Sequence, residues 1–226
     1  MTFAAHQPHY LPSLAWWHKM VRAETFVVAD EVQYVTGNSM NRCRIKTPEG
    51  VQWLTVPVVT KGKGRQSIRD VRISNQSDWR KRHLHTLRLN YAKAAFFDLY
   101  FPSFEQLYER KWRFLIDLNL AALDLLRESL YLRTPVILSS SLNISTRGTN
   151  KIVAIAQQVG GEIYLTEPEA KNHLDESKFT EFGITVQFEL FPPPSYHQLF
   201  GNFAPNLSII DLLFNEGEES KSILLG

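Results

Sequence analysis

AHQPHYLPSLAWWHKMVRAETFVVADEVQY, residues 5–34, is the stretch that decides the fold. Phe3, Ala4 and Ala5 form a short apolar run that stops at His6, as a buried strand does where it leaves the core. Pro8 and Pro12 fix φ and donate no backbone hydrogen bond, so the chain turns and a helix starts. Leu14, Trp17, Met20 and Val21 recur at the spacing of one buried helix face, which places His18, Lys19 and Arg22 largely elsewhere. Phe26 to Ala29 is a second strand. Strand, polar turn, helix, strand is a right-handed βαβ unit, and such units gather ligands at the carboxyl ends of their strands. His6 and the acidic pair Asp30 and Glu31 are thereby expected at one edge. A histidine in a turn is ordinarily a capping or packing residue. The company of Gln7, His9, Tyr10 and Asp30 is what makes a site of it.

Outward from this unit the alternation continues. Pro135 to Leu138 reads as a strand, Ser139 to Ser141 as a hydroxyl cluster, and Ser145, Thr146, Arg147 and Gly148 introduce a helix carrying Ile152, Ile155, Ala156 and Val159 that Gly160 and Gly161 stop. A strand over residues 162–165, a turn at Glu167 and Pro168, a short helical piece near Lys171 and a strand from Ile184 to Phe188 come next. Strands alternating with helices predict an α/β three-layer sandwich with a mainly parallel, Rossmann-like sheet. Two further pieces interrupt it. Residues 41–59 read as a β-hairpin insertion, its turn Thr47, Pro48, Glu49 and Gly50 carrying Pro at the second position. Residues 78–130 read as a helical segment, with Asp78 as cap and Trp79, Leu84, Leu87 and Tyr91 as core contacts, then helices over Phe104–Leu107 and Phe114–Leu130. Ile68 to Ile73 alternates apolar and charged residues as a half-exposed strand would. The whole, residues 1–226, is expected to be one domain.

Composition narrows the function classes. The 226 residues carry 25 Lys and Arg against 23 Asp and Glu, so no global field draws the chain to nucleic acid or to a membrane. No apolar run approaches the roughly 20 residues that span a bilayer, and the amino terminus lacks a signal-peptide pattern, so a cytoplasmic protein with no membrane span is expected. One cysteine, Cys43, leaves no internal disulfide and no cysteine cluster for a metal. Arg80, Lys81, Arg82, His83, His85, Arg88 and Lys93 crowd one helix, most simply as a solvated face. His83 and His85, two apart, diverge and cannot share a metal. The loop Lys61 to Arg65 lacks the spacing of a phosphate-binding GxxxxGK[ST] loop.

Three sets of residues remain for chemistry. At the first edge, His6, Asp30 and Glu31 are the catalytic candidates, His6 as general acid, base or phosphate ligand and the acids orienting a substrate amine or hydroxyl, with Gln7, His9 and Tyr10 as binding residues. Arg42, Arg44 and Lys46 alternate along the hairpin strand and project from one face, able to clamp a diphosphate or carboxylate beside Asn41, while Cys43 points away as a small buried apolar residue. Ser145, Thr146 and Arg147 at a helix start suit phosphate. Tyr196 and Gln198, after the stiff Pro192 to Pro194 segment, are candidates for a lid over the pocket, against the simpler reading of a packed connector. A histidine turn facing a late Ser/Thr/Arg helix start is reminiscent of the HxGH-type nucleotidyltransferases, without that motif's glycine.

HQPHYLP at 6–12, DEVQY at 30–34, NRCRIKTPEG at 41–50, WLTVPV at 53–58, AKNHLD at 170–175 and LSIIDLLFNEG at 207–217 resemble the WbqC-like protein family almost end to end. Ser13, Ala15, His9 and His18 depart from its usual pattern. The resemblance implies a role in making bacterial surface polysaccharide, such as O-antigen: a transferase acting on an activated sugar, an amino sugar, or a small acyl or aminoacyl donor. The alternative is a non-catalytic accessory protein that binds a nucleotide sugar. The expected partner is a small anionic or nucleotide-linked molecule. The cofactor is left open between a nucleotide alone and a nucleotide with Mg²⁺, no metal ligands being assigned, and the oligomeric state is unspecified.

Overall fold

A computed structural model describes residues 1–226. Five strands, β1 (Thr2–His6), β2 (Thr25–Val28), β5 (Val136–Leu138), β6 (Ile163–Thr166) and β7 (Thr185–Phe188), form one sheet in the order β5-β2-β1-β6-β7, every pair parallel. β3 (Arg42–Thr47) and β4 (Gly50–Thr55) pair antiparallel as a separate hairpin. The chain runs outward from β1 through β2 to β5, then crosses back to β6 beside β1 and on to β7. The winding therefore reverses between β1 and β6, and their carboxyl ends open the crevice where ligands of doubly wound sheets collect.

Alternation of side chains along β1 and β2 builds the three layers. Phe3 and Val27 face one side, where they pack with Val153, Ile155 and Ala156 of α5 (Thr149–Val159) and Phe179 of α6 (Glu176–Thr180). Ala4, Phe26 and Val28 face the other side and join Leu14, Trp16, Trp17 and Met20 of α1 (Leu14–Arg22) in the main core. That core continues without a break into α2 (Trp79–Tyr91), α3 (Phe97–Glu109), α4 (Leu115–Ser129) and α7 (Ile209–Glu216), and takes in Cys43, Ile45 and Leu54 of the hairpin. The hairpin and helical insertions thus enlarge the α1 side of the sheet. Gly160 ends α5 in the left-handed conformation, and a Cβ at the next residue, Gly161, would run into the Phe3 ring.

Four local expectations are corrected. Ile68–Asp70 is a single 3₁₀ turn capped by Ser67, not a strand, and Arg72 and Ile73 make only isolated bridges. Asp78 precedes α2, but its side chain caps nothing and instead sits 3.6 Å from Lys81. Residues 145–147 lie before α5, which starts at Thr149 with Gly148 at its cap. His18 and Lys19 are buried, because α1 is covered on its outer side by α8 (Ser220–Leu225) and by the chain after β7. His18 Nδ1 donates to the Leu224 carbonyl and Nε2 meets the Glu189 carboxylate at 2.8 Å.

Candidate functional site

At the β1/β6 crevice the last side chain of β1, His6, meets the first residue after β6, Glu167. His6 Nδ1 lies 2.9 Å from the Gln7 carbonyl, which can only accept, so the Nδ1 proton is fixed there. The same carbonyl accepts from Trp16 Nε1 at 3.1 Å, locking the turn against α1. His6 Nε2 makes no hydrogen bond and faces Glu167 Oε1 at 3.6 Å. Glu167 is held from two sides: Lys19 Nζ donates to Oε1 at 2.6 Å, and Thr166 Oγ1 lies 3.3 Å from Oε2. His9 stands edge-on to His6, 4.8 Å between ring centres, with its Nε2 3.2 Å from the Gln7 amide.

Burial, then the nearby Lys19 charge, lowers the proton affinity of His6 and keeps it neutral. Burial, His6 and Lys19 push His9 down to about 2. Lys19 is lowered by burial, which outweighs its carboxylate partner. For Glu167 burial alone would act upward, but the Lys19 ammonium at 2.6 Å outweighs it and holds the carboxyl well below its usual range, and His6 adds to this only when it is protonated. The result is a neutral imidazole with a free Nε2 beside a permanently ionised carboxylate, at a place 16% exposed on His6 and 40% on Glu167.

A second feature lies along the same carboxyl edge, past β2 and β5. An open cleft of about 640 Å³ is lined by Glu31, Gln33, Arg65, Gln66, Ser67, Ser145, Thr146, Arg147, Gly148 and Lys151. The amino end of α5 borders it with no side-chain cap and no acid in its first turn, so its backbone N–H groups are not claimed by the chain's own side chains. Asp30 is buried, accepting from Ser139 Oγ at 3.1 Å, Ser140 N at 2.9 Å and Ser140 Oγ at 2.7 Å. It fastens β2 to the turn after β5 and cannot orient a substrate. Glu31 pairs with Lys151 at 2.7 Å on the wall of the cleft.

Other expected site residues go elsewhere. Tyr10 is fully buried and bonded to His83 and Tyr108, so it does not reach a ligand. Asn41 is buried and donates to the Val56 carbonyl at 2.8 Å. Arg42 lies over the Trp53 ring at 4.1 Å and donates to the Gly37 carbonyl; with Arg44, Ser13 and Ser39 it lines only a cavity of about 30 Å³. Lys46 is buried, donating to Gln198 Oε1 at 3.0 Å and the Asn202 carbonyl at 2.7 Å. The three cations therefore form no common clamp. Tyr196 donates to Asp211 Oδ1 at 2.8 Å and Gln198 to the Ala204 carbonyl at 3.0 Å, which makes this segment a fixed strap rather than a lid. Cys43 is buried, and burial pushes its thiol up. No three His, Cys, Asp or Glu side chains converge as a metal site.

Lys19 and Glu167 are the site residues that sequence reasoning missed. Lys19 sits on the nominal polar face of α1, and nothing local announces that α8 buries that face. Glu167 becomes visible only once β6 is known to lie beside β1.

The chain matches the WbqC-like protein family over residues 7–223. It belongs to that family. A relative, "Uncharacterized protein Rv1507c" of Mycobacterium tuberculosis, is 34% identical over 220 residues, covering 96% of this chain and 95% of its own length. No solved structure matches this WbqC-like chain. None of its helices is long and apolar enough to cross a membrane.

Proposed function

We propose that this WbqC-like protein is a transferase of bacterial surface-polysaccharide biosynthesis that takes an activated, phosphate-bearing small molecule, such as a nucleotide-linked sugar, into the cleft at the amino end of α5. The observation that carries this reading is the cleft itself: about 640 Å³, bordered by an uncapped helix start, with Arg65 and Arg147 supplying positive charge, Lys151 being paired with Glu31, and Ser145 and Thr146 supplying hydroxyl donors. Backbone N–H groups and guanidinium forks are the donors phosphate oxygens need. His6 and Glu167, on the same carboxyl edge, supply the proton chemistry of transfer in this reading, and the polysaccharide setting is what the resemblance to WbqC-like proteins implies. The partner is a small molecule, not a nucleic acid.

Isothermal calorimetry with ATP, CTP and UDP- and CDP-linked sugars, each with and without Mg²⁺, tests it. Saturable heat is expected for at least one of them, weakened about tenfold or more by Arg147→Ala or Arg65→Ala, each removing a charged hydrogen bond. A His6→Ala variant should keep that binding and lose turnover by about 10²–10⁴-fold once an acceptor is supplied. No heat from any of the ligands would overturn the reading.

A further inference from the structure

Two acceptors face each other in the β1/β6 crevice with no hydrogen between them. His6 Nδ1 carries the imidazole proton, spent on the Gln7 carbonyl, so Nε2 offers a lone pair. Glu167 Oε1 stands 3.6 Å away, too far for a hydrogen bond and close enough that the lone pair and the anion repel. Lys19 donates to the same Glu167 Oε1 but donates nothing to His6. Such a pair is completed by a group that donates to both atoms at once. A hydroxyl has one proton and can serve only one of them; an amino group has two or three. A nitrogen at ordinary hydrogen-bond distance from both atoms makes a triangle whose base is the observed 3.6 Å.

We propose that His6 Nε2 and Glu167 Oε1 form a receptor for the amino group of the acceptor substrate, and that His6 removes its proton. Amine binding stands on the geometry alone; the proton transfer and bond formation rest on the transferase reading. The acceptor enters as an ammonium. One N–H bond breaks, its proton goes to Nε2, and the bonding pair stays on nitrogen as the nucleophilic lone pair. The positive charge now on the imidazole faces the Glu167 carboxylate, which stabilises it where before the two repelled. The amine then bonds to the electrophilic centre of the activated donor as the leaving group departs with its electron pair; the imidazolium gives its proton to that group, and the neutral Nε2 so restored takes the second proton from the newly substituted nitrogen and passes it to water. Lys19 has two parts in this. It pins Glu167, and its charge disfavours a second cation in the crevice, on the amine and on His6 alike. Lys19 is therefore a positioning residue, while His6 and Glu167 touch the substrate.

The test needs no knowledge of the true acceptor. Imidazole ¹⁵N resonances of the full-length protein are monitored during titration with glucosamine and ethanolamine, and with glucose and ethylene glycol as hydroxyl counterparts. The free protein is expected to show His6 neutral with its proton on Nδ1. The amines, and not the alcohols, are expected to shift Nε2 saturably. Glu167→Gln, which keeps the shape and removes the charge, should weaken amine binding about tenfold or more, the worth of one charged hydrogen bond. Lys19→Met should raise the pH at which His6 titrates, a change that a purely structural lysine would not produce. A free protein with the proton on Nε2, equal shifts from glucose and glucosamine, or no response to either amine would overturn the proposal. Failure of nucleotide binding with an intact amine response would sink the proposed donor and leave this receptor standing; the converse would do the opposite.

Discussion

His83 provides a stability test that reads the buried hydroxyl network directly. Its Nε2 donates to the Thr55 carbonyl at 3.1 Å, so Nδ1 accepts from the Tyr10 hydroxyl at 3.0 Å, and the ring is 5% exposed within a cage of Trp79 and Tyr108. Burial, the largest influence, lowers its pKa to about 4 from 6.5. Between these values the unfolded chain holds the proton and the folded chain does not, so stability is complete above pH 6.5 and is lost as pH falls toward 4. About 2.5 pH units at about 1.4 kcal/mol each set a ceiling near 3 kcal/mol, and the linkage relation places about 2 kcal/mol of it between pH 7 and pH 5. Urea unfolding of wild type and His83→Gln at those two pH values measures it. His6 and His9 are depressed in both proteins and cancel in the comparison. The variant is expected to be less stable at pH 7 but to lose about 2 kcal/mol less on acidification. Equal losses in the two proteins would show that His83 is not held neutral by its burial, and the reasoning would fail.

Three single contacts give further expected outcomes. Gly161→Ala drives a methyl into the Phe3 ring, which is itself fully buried, and should cost about 1–3 kcal/mol in urea unfolding; a neutral result would mean the β1 edge yields freely. The Cys43 thiol, buried and raised, should resist a disulfide reagent in the native protein and react on unfolding, so prompt labelling without loss of structure would contradict its placement. Lys46→Met leaves Gln198 Oε1 and the Asn202 carbonyl without their cation and should speed proteolysis between residues 192 and 206 while circular dichroism stays unchanged; unaltered cleavage would show that the strap is fixed by Tyr196 and Asp211 alone.

Much of the sheet was legible because each strand carries its own signal. Phe3 to Ala5 ends at a polar turn, Phe26 to Ala29 is a continuous apolar run, and the glycines at 160 and 161 stop a helix whose apolar face repeats at i, i+3, i+4. Side-chain destinations were less legible, because they depend on partners distant in sequence. Arg42, Arg44 and Lys46 do share a strand face by alternation, yet Lys46 is claimed by Gln198 and Asn202, more than 150 residues on, and Arg42 by Trp53 across the hairpin. Asp30 reads locally as a free acid at a strand end, whereas Ser139 and Ser140 of the neighbouring β5 turn absorb it. Of the catalytic candidates, His6 kept its Nε2 uncommitted because its one tight partner, the Gln7 carbonyl, is the next residue and takes only Nδ1, whereas Glu31 is tied through Oε2 to Lys151 and Ser139.

The first βα turn explains why the proposed anion site lies at α5 and not at α1. In a doubly wound sheet the phosphate customarily sits at the amino end of the first helix, on a glycine-rich turn. Here that turn is HQPHYLPS, without glycine, and the protein fills the place itself. Ser13 bridges Ser208, Leu14 N reaches the Leu207 carbonyl at 3.4 Å, Ile209 N donates to the Pro12 carbonyl at 2.9 Å, and Ser208 Oγ donates to the Leu11 carbonyl at 2.7 Å. Leu11 is held there at φ +44°, a left-handed conformation that a leucine adopts only when its surroundings impose it. With α1 closed by α7's approach, the open helix start on the same edge is that of α5, which comes after β5, two strand positions from β1. Adjacent strands are about 4.8 Å apart, so the carboxyl ends of β5 and β1 lie about 10 Å apart along the edge. A single phosphate could not join them. A donor whose reactive carbon hangs from a diphosphate could, which is why the calorimetry should favour nucleotide-linked sugars over inorganic phosphate or pyrophosphate.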